Sequence, residues 1–254
     1  MNFGSPAAAP RRWGIFILVA GAAALAALVT QVVLFRPADA GAPAGRPAPI
    51  GDRRWAPTSD GDFEEQAADF NGSRLRLRAA TRRTRTDTVK FLGMRLRDPV
   101  RLTAGARISV DLDWNRQANG SGLTAGLVVS PHKTDGNPFL LPETLAIEFI
   151  GVPPGKNARR VIGLRENSHH RHLDAEGWPD LNREGRPIGV QRIEIRMGTD
   201  GAFTVFENGS EAYASPPGTL AFFDEAYVYL QMSSRPNYPP REVFFDNIEV
   251  VNGR

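Results

Sequence analysis

The chain has no cysteine among its 254 residues. Disulfide bridges, thiolate metal centres and a cysteine nucleophile are therefore excluded. Helical signals are scarce as well: beyond residue 62 no stretch sustains an apolar i, i+3, i+4, i+7 pattern, which argues against a helical body. Histidine is rare, with four in all. The formal net charge is only +3, and no nucleic-acid-binding motif accompanies the basic residues, so no nucleic acid is expected as a partner.

Charge is missing altogether from residues 13–35, "WGIFILVAGAAALAALVTQVVLF". As a helix this run would span ~34 Å, enough to cross a hydrocarbon core of ~30 Å. Arg11 and Arg12 precede it, the flank expected on the cytoplasmic side. The apolar run of a cleaved signal peptide is only ~7–15 residues long, so the segment is read as an uncleaved anchor. Cleavage after "ADA" at 38–40 is the alternative. This reading makes residues 1–12 a cytoplasmic tail and the protein a single-pass membrane protein. Its C-terminal domain is then extracytoplasmic, in the periplasm or at the cell surface. Residues 36–62, "RPADAGAPAGRPAPIGDRRWAPTSDGD", repeat Pro, Ala and Gly and form a semi-extended linker.

Turn residues, in contrast, are plentiful, with 25 Gly and 20 Pro. Between them, apolar and polar residues alternate with period two in runs at 73–79, 89–97, 107–114, 123–130 and 145–151. Further runs fall at 160–165, 190–197, 202–207, 226–232 and 243–251. Such runs separated by turns predict an all-β antiparallel sandwich or jelly roll over 63–254. The clearest hairpin is at Asn208-Gly209, because a type I′ turn needs positive φ at both central residues.

Three segments follow one another near the C-terminus: "IEIRMGTDGAFTVFENGSEAY" (193–213), "AYVYLQMSS" (226–234) and "VFFDNIEV" (243–250). Together they resemble the C-terminal half of a concanavalin-A-like lectin/glucanase domain, a superfamily that also holds laminin-G-like modules. The resemblance implies a jelly roll and three candidate roles. The preferred one is non-catalytic recognition of a carbohydrate or other cell-envelope polymer. The alternatives are a glycoside hydrolase or lyase, and a laminin-G-like interaction module. The glycosidases of the superfamily carry a Glu-x-Asp-x-x-Glu strand motif. Its nearest counterpart is Asp111-Leu112-Asp113, so Asp111 and Asp113 are weak candidate acids that lack the third carboxylate.

A binding face has more candidates. Val228, Leu230 and Met232 turn to one side of their strand, leaving Tyr227, Tyr229 and Gln231 on the other. Arg192, Glu194 and Arg196 are likewise set apart from Ile193, Ile195 and Met197. If both strands belong to one concave sheet, these six residues offer aromatic surfaces beside hydrogen-bonding groups, which suits sugars. "ENSHHRHLD" (166–174) concentrates His169, His170, His172 and Asp174. The spacing fits no closed zinc motif, and the segment is read as a long solvated loop, with a lid over a groove as the alternative.

From 74 to 107 eleven Lys or Arg stand against Asp87 and Asp98. Arg74, Arg76 and Arg78 alternate with leucines, and Arg95 and Arg97 flank Leu96. These stripes suggest either a solvated face or an anionic partner, headgroup or polymer. Finally, strict alternation through "VFFDNIEVVNG" (243–253) puts Asp246 on the apolar face with Phe244, Ile248 and Val250. The resemblance implies a structural calcium at Asp246, with backbone oxygens around Asp69. The alternative is a buried carboxylate accepting hydrogen bonds. Either role makes Asp246 a clasp of the fold, and no other cofactor is expected.

Overall fold

Alternation of apolar and polar residues produces strands, and in the computed structural model they assemble into two antiparallel sheets. The structure describes residues 52–61, 63–81, 89–114, 123–150, 159–167, 169–175, 189–220, 224–234 and 240–253. Among these residues no helix is long and apolar enough to cross a membrane. The tail at 1–12, the anchor segment 13–35 and residues 36–51 of the linker lie outside them.

The strands are β1 (Trp55–Ser59), β2 (Phe63–Asn71), β3 (Arg74–Thr81), β4 (Lys90–Leu96) and β5 (Val100–Arg101). Next come β6 (Arg107–Asp113), β7 (Leu123–Ser130), β8 (Thr144–Ile150), β9 (Arg159–Glu166) and β10 (His169–Ala175). The last are β11 (Val190–Met197), β12 (Phe203–Glu207), β13 (Ser210–Ala214), β14 (Glu225–Ser234) and β15 (Arg241–Val251). One sheet has eight strands in the order β1-β4-β14-β7-β8-β9-β10, with β5 added alongside β14. The other has seven in the order β13-β12-β11-β6-β15-β3-β2. Between them lies one core, to which Leu75, Leu112, Leu127, Phe149, Leu230 and Phe245 contribute fully buried side chains. Each such side chain contributes about 1.5–3 kcal/mol through removal from water.

All ten runs expected from period two are strands. Asn208 and Gly209 take φ of 52° and 83° between β12 and β13, as the type I′ turn requires. Two expectations are corrected. Trp55–Ser59, part of the stretch read as linker, pairs with β4 along its whole length, because Trp55 has a buried place in the core. The histidine segment, read as a loop, is the edge strand β10 paired with β9. Its polar sequence suits an edge, where one side of the backbone ladder faces solvent.

The third correction concerns Asp246. Opposite Asp111 and Ser109 on β6, the closing strand β15 places Asp246 and Glu249, one residue more than regular pairing allows. This β-bulge reverses the phase of the strand. Val243 and Phe245 point to the core before it, and Ile248 and Val250 pack against the core after it. Asp246 therefore lies on the outer face, not the apolar one. Its Oδ1 accepts a hydrogen bond from the Ser73 hydroxyl at 3.0 Å and another from the Asn247 N–H at 2.8 Å. Asn247 absorbs the bulge with a φ of 47°.

The two sheets are clasped across one end by Arg160. Its side chain is 8% exposed, and the guanidinium reaches Asp174 on β10 at 2.7 Å and Glu207 on β12 at 2.5 Å. A charge in the core phase of a strand persists only when paired in this way.

Candidate functional site

The two sheets present outer faces of different chemistry. On the seven-stranded sheet, outward residues form a ladder of ion pairs. Arg74 reaches Asp113 at 2.7 Å, Arg76 reaches Asp69 at 3.1 Å and Arg78 reaches Glu65 at 2.9 Å. Arg192 donates to Asp111 at 3.0 Å and to the Ser109 hydroxyl at 3.0 Å. Asn247 Nδ2 donates to the other oxygen of Asp111 at 2.7 Å. Arg196 is tied to Glu194 and lies over the Phe206 ring, 4.1 Å from its centroid.

This arrangement revises several sequence expectations. Asp111 and Asp113, the candidate acids, are neutralised and oriented by arginines on a solvated face. Asp69, around which backbone oxygens were expected to help Asp246 hold a calcium, has its carboxylate tied to Arg76. No group of three His, Asp or Glu side chains among the described residues has metal-binding geometry. The two arginine stripes are not one patch: Arg74, Arg76 and Arg78 lie on the seven-stranded sheet, and Arg95 on the eight-stranded one. Arg95 is 4% exposed and donates to the Thr134 carbonyl and to Asp135 at 3.2 and 3.0 Å.

The six candidate binding residues are also parted. Arg192, Glu194 and Arg196 belong to β11 in one sheet, and Tyr227, Tyr229 and Gln231 to β14 in the other. Each trio faces away from the shared core, so the sandwich separates them. Nor is Tyr229 an open stacking platform. It is fully buried, its hydroxyl donates to the His132 carbonyl at 2.6 Å and accepts from the Thr134 N–H at 3.0 Å. Burial raises its pKa. These bonds anchor residues 131–143, which return over the face between β7 and β8. Thr144 Oγ1 fastens the other end of this strap through Ser130 Oγ at 2.9 Å and the Pro138 carbonyl at 3.2 Å.

The eight-stranded sheet is concave on this outer face, as three rings demonstrate. The strap residue Phe139 has its ring 6.3 Å from Phe91 on β4 and 5.1 Å from His170 on β10. Those strands are five places apart, a separation of about 24 Å in a flat sheet. Only a curled sheet brings both side chains onto one ring.

At the middle of the concavity stands Glu148, which no motif had singled out. Leu145, Ile147 and Phe149 of β8 enter the core, so alternation turns Thr144, Ala146 and Glu148 outward. Glu148 aligns with Gly126 on β7, which aligns with Gln231 on β14. A Cβ on Gly126 would run into the backbone of Ile147 and Glu148. The missing side chain lets Gln231 Nε2 reach Glu148 Oε1 across it, at 3.4 Å. Glu148 is pushed up to about 7, because burial disfavours its charge more than the Gln231 hydrogen bond favours it. A lone acid in the apolar run "TLAIEFI" is the sequence signal that could have found it.

No family model matches the chain, and no curated protein matches it. Solved structures are similar over most of its length. The catalytic domain of an endo-1,3-β-glucanase (laminarinase) from Thermotoga petrophila has a TM-score of 0.53 at 12% identity. That match covers 80% of this chain and 93% of the other. A family 16 glycoside hydrolase from a Bacteroides ovatus mixed-linkage glucan locus, in complex with its product, has a TM-score of 0.53 at 10% identity. It covers 79% of this chain and 95% of that one. The Emp46p carbohydrate recognition domain has a TM-score of 0.50 at 9% identity, covering 79% and 88%. The fold is a concanavalin-A-like jelly roll. At these identities the likeness is one of fold, and the site must be argued from its own residues.

Proposed function

We propose that this domain recognises a carbohydrate polymer on the concave face of its eight-stranded sheet and does not cleave it. The carrying observation is that Glu148 stands in the middle of that face with an amide, Gln231, as its side-chain hydrogen-bond partner, while Asp135 on the strap is committed to Arg95. Glycoside hydrolysis by paired acids needs two carboxyls, ~5–5.5 Å apart for retention and ~6.5–9.5 Å for inversion. Beside Glu148, β8 offers Thr144 and Ala146 instead of further acids, and Gln231 supplies an amide. An acid and an amide in a recess with Phe91, Phe139 and Tyr227 nearby can hydrogen-bond sugar hydroxyls and pack against their rings. The glucanases and the carbohydrate recognition domain of like fold support a sugar as the ligand class. As part of the proposal, residues 13–35 anchor the protein in a membrane and hold the domain on its extracytoplasmic side. The uncharged run behind Arg11 and Arg12 supports this.

A hydrolase reading has one observation in its favour: a carboxyl titrating near 7 suits a general acid. One experiment separates the two. The full chain is passed over immobilised β-glucans and uronate polymers while reducing ends are assayed in the eluate. Retention without reducing ends, weakened about tenfold in Gln231→Ala, is the expected result. Release of reducing ends that disappears in Glu148→Gln would replace recognition by catalysis.

A further inference from the structure

The class of sugar can be narrowed from a second feature of the same face, on the premise that the face binds carbohydrate at all. Arg165 on β9 pairs through its backbone with Thr144 on β8 and with His170 on β10. Thr144 is buried beneath the strap and His170 is exposed beside it. The guanidinium of Arg165 makes no hydrogen bond or ion pair with the described residues, and its Nε is closed off from water without a partner. On the opposite sheet Arg74, Arg76, Arg78, Arg107 and Arg192 each reach a carboxylate. Arg165 has no such carboxylate among the described residues, and it lies on the concave side.

The groups around Arg165 leave its charge standing. Glu143, where the strap ends, donates its backbone N–H to the Arg165 carbonyl at 2.5 Å, but no ion pair joins the two side chains. His170 has its pKa lowered by burial, then by His172 and by Arg165 itself, which keeps it neutral at physiological pH. Glu148, level with Val161 and so four residues along β9 from Arg165, is held partly protonated at neutral pH by burial. On the strap, Phe139 packs edge-on against His170, the residue opposite Arg165 in the β9–β10 ladder, and the next strap residue, Leu140, is 64% exposed. A planar fork of donors beside apolar surfaces matches a ring that carries an anionic group on one edge and C–H bonds on its face.

We infer that the concave face takes an acidic polysaccharide, with Arg165 pairing to a carboxylate or sulfate of the ligand and Phe139 and Leu140 lying against the sugar ring.

The test measures affinity of the full chain for polygalacturonate, dextran sulfate and laminarin at low salt and at physiological salt. At least one acidic polymer binds about tenfold more tightly than neutral laminarin, a factor typical of one charge-assisted pair. The two acidic polymers distinguish carboxylate from sulfate as the recognised group. Arg165→Gln loses that tenfold preference without weakening laminarin binding, and Arg165→Lys retains part of it. Arg171→Gln, which removes an exposed arginine paired with Glu166, serves as the control and leaves all three affinities unchanged. Laminarin binding as tight as the tighter of the two acidic polymers overturns the inference and leaves the recognition reading standing. Equal losses in Arg165→Gln and Arg171→Gln overturn it too, as the mark of diffuse charge attraction. Failure to bind any of the three polymers removes both readings.

Discussion

On the seven-stranded sheet, Arg74, Arg76 and Arg78 stand in water and each reaches an acid, Arg76 and Arg78 on the adjacent β2 and Arg74 across β15 on β6. On the eight-stranded sheet, Arg165 reaches none among the described residues, and Glu148 is withdrawn from water beside an amide. Both faces arise from the same period-two strands, so alternation alone does not separate them. The difference comes from curvature and cover. The exposed sheet lets long side chains span the gap between strands and neutralise one another. The curled sheet, with the 131–143 strap fastened across it by Tyr229 and Thr144, removes water from the same kind of position. Charged groups on the first face are solvated and balanced. Those on the second are held in states from which a ligand can gain.

The contrast can be challenged by stability measurements. The largest effect is expected at Arg160, the buried clasp between the sheets. Arg160→Ala removes the buried guanidinium that Asp174 and Glu207 share and is expected to destabilise by about 3–5 kcal/mol in urea unfolding. A loss under 1 kcal/mol would mean that burial does not set the strength of these pairs.

The middle effect belongs to Glu148. Its pKa rises from 4.5 in the unfolded chain to about 7 in the fold, so between those values the folded state holds a proton that the unfolded chain has released. Stability therefore falls as pH rises from about 4.5 through about 7 and levels off above. Glu148→Gln removes that slope. The variant matches the parent near pH 4 and gains on the order of 3 kcal/mol at pH 8. Parallel pH profiles for the two proteins would show that the concave face is as wet as the other.

The smallest effect is expected from the ladder. Arg78 and Glu65 have side chains 42% and 51% exposed, and pairs of that kind contribute about 0–1 kcal/mol. Arg78→Ala is expected to shift the thermal midpoint by only a few degrees at most. A loss as large as that of Arg160→Ala would erase the distinction between the faces.

Much of the fold was legible in the sequence because period two is a local property. Leu145, Ile147 and Phe149 must share a face wherever their strand is placed, and Asn208-Gly209 closes a tight turn in any sheet. The edge strand β10 was not legible, since "HHRHLD" has no apolar alternation and is held by pairing with β9. The side of Asp246 was not legible either, because one extra residue in the bulge reverses the phase of everything after it. The candidate site was the least legible part. Arg192 and Tyr229 each point away from a core, but no one-dimensional pattern tells which sheet a strand joins. Glu148 was overlooked because a lone acid forms no motif until Gly126 and Gln231 are aligned with it.

By itself, then, the amino-acid sequence determined the uncharged segment at 13–35, the absence of thiol chemistry and the all-β body, each a consequence of composition or local periodicity. Tertiary structure alone decided which outward residues meet. Asp111 met Arg192 and was paired with its charge, while Glu148 met Gln231 in a recess where burial raises its pKa. The physical reason is that a side chain's chemistry depends on the solvent and charges around it, and strands distant in the chain supply both.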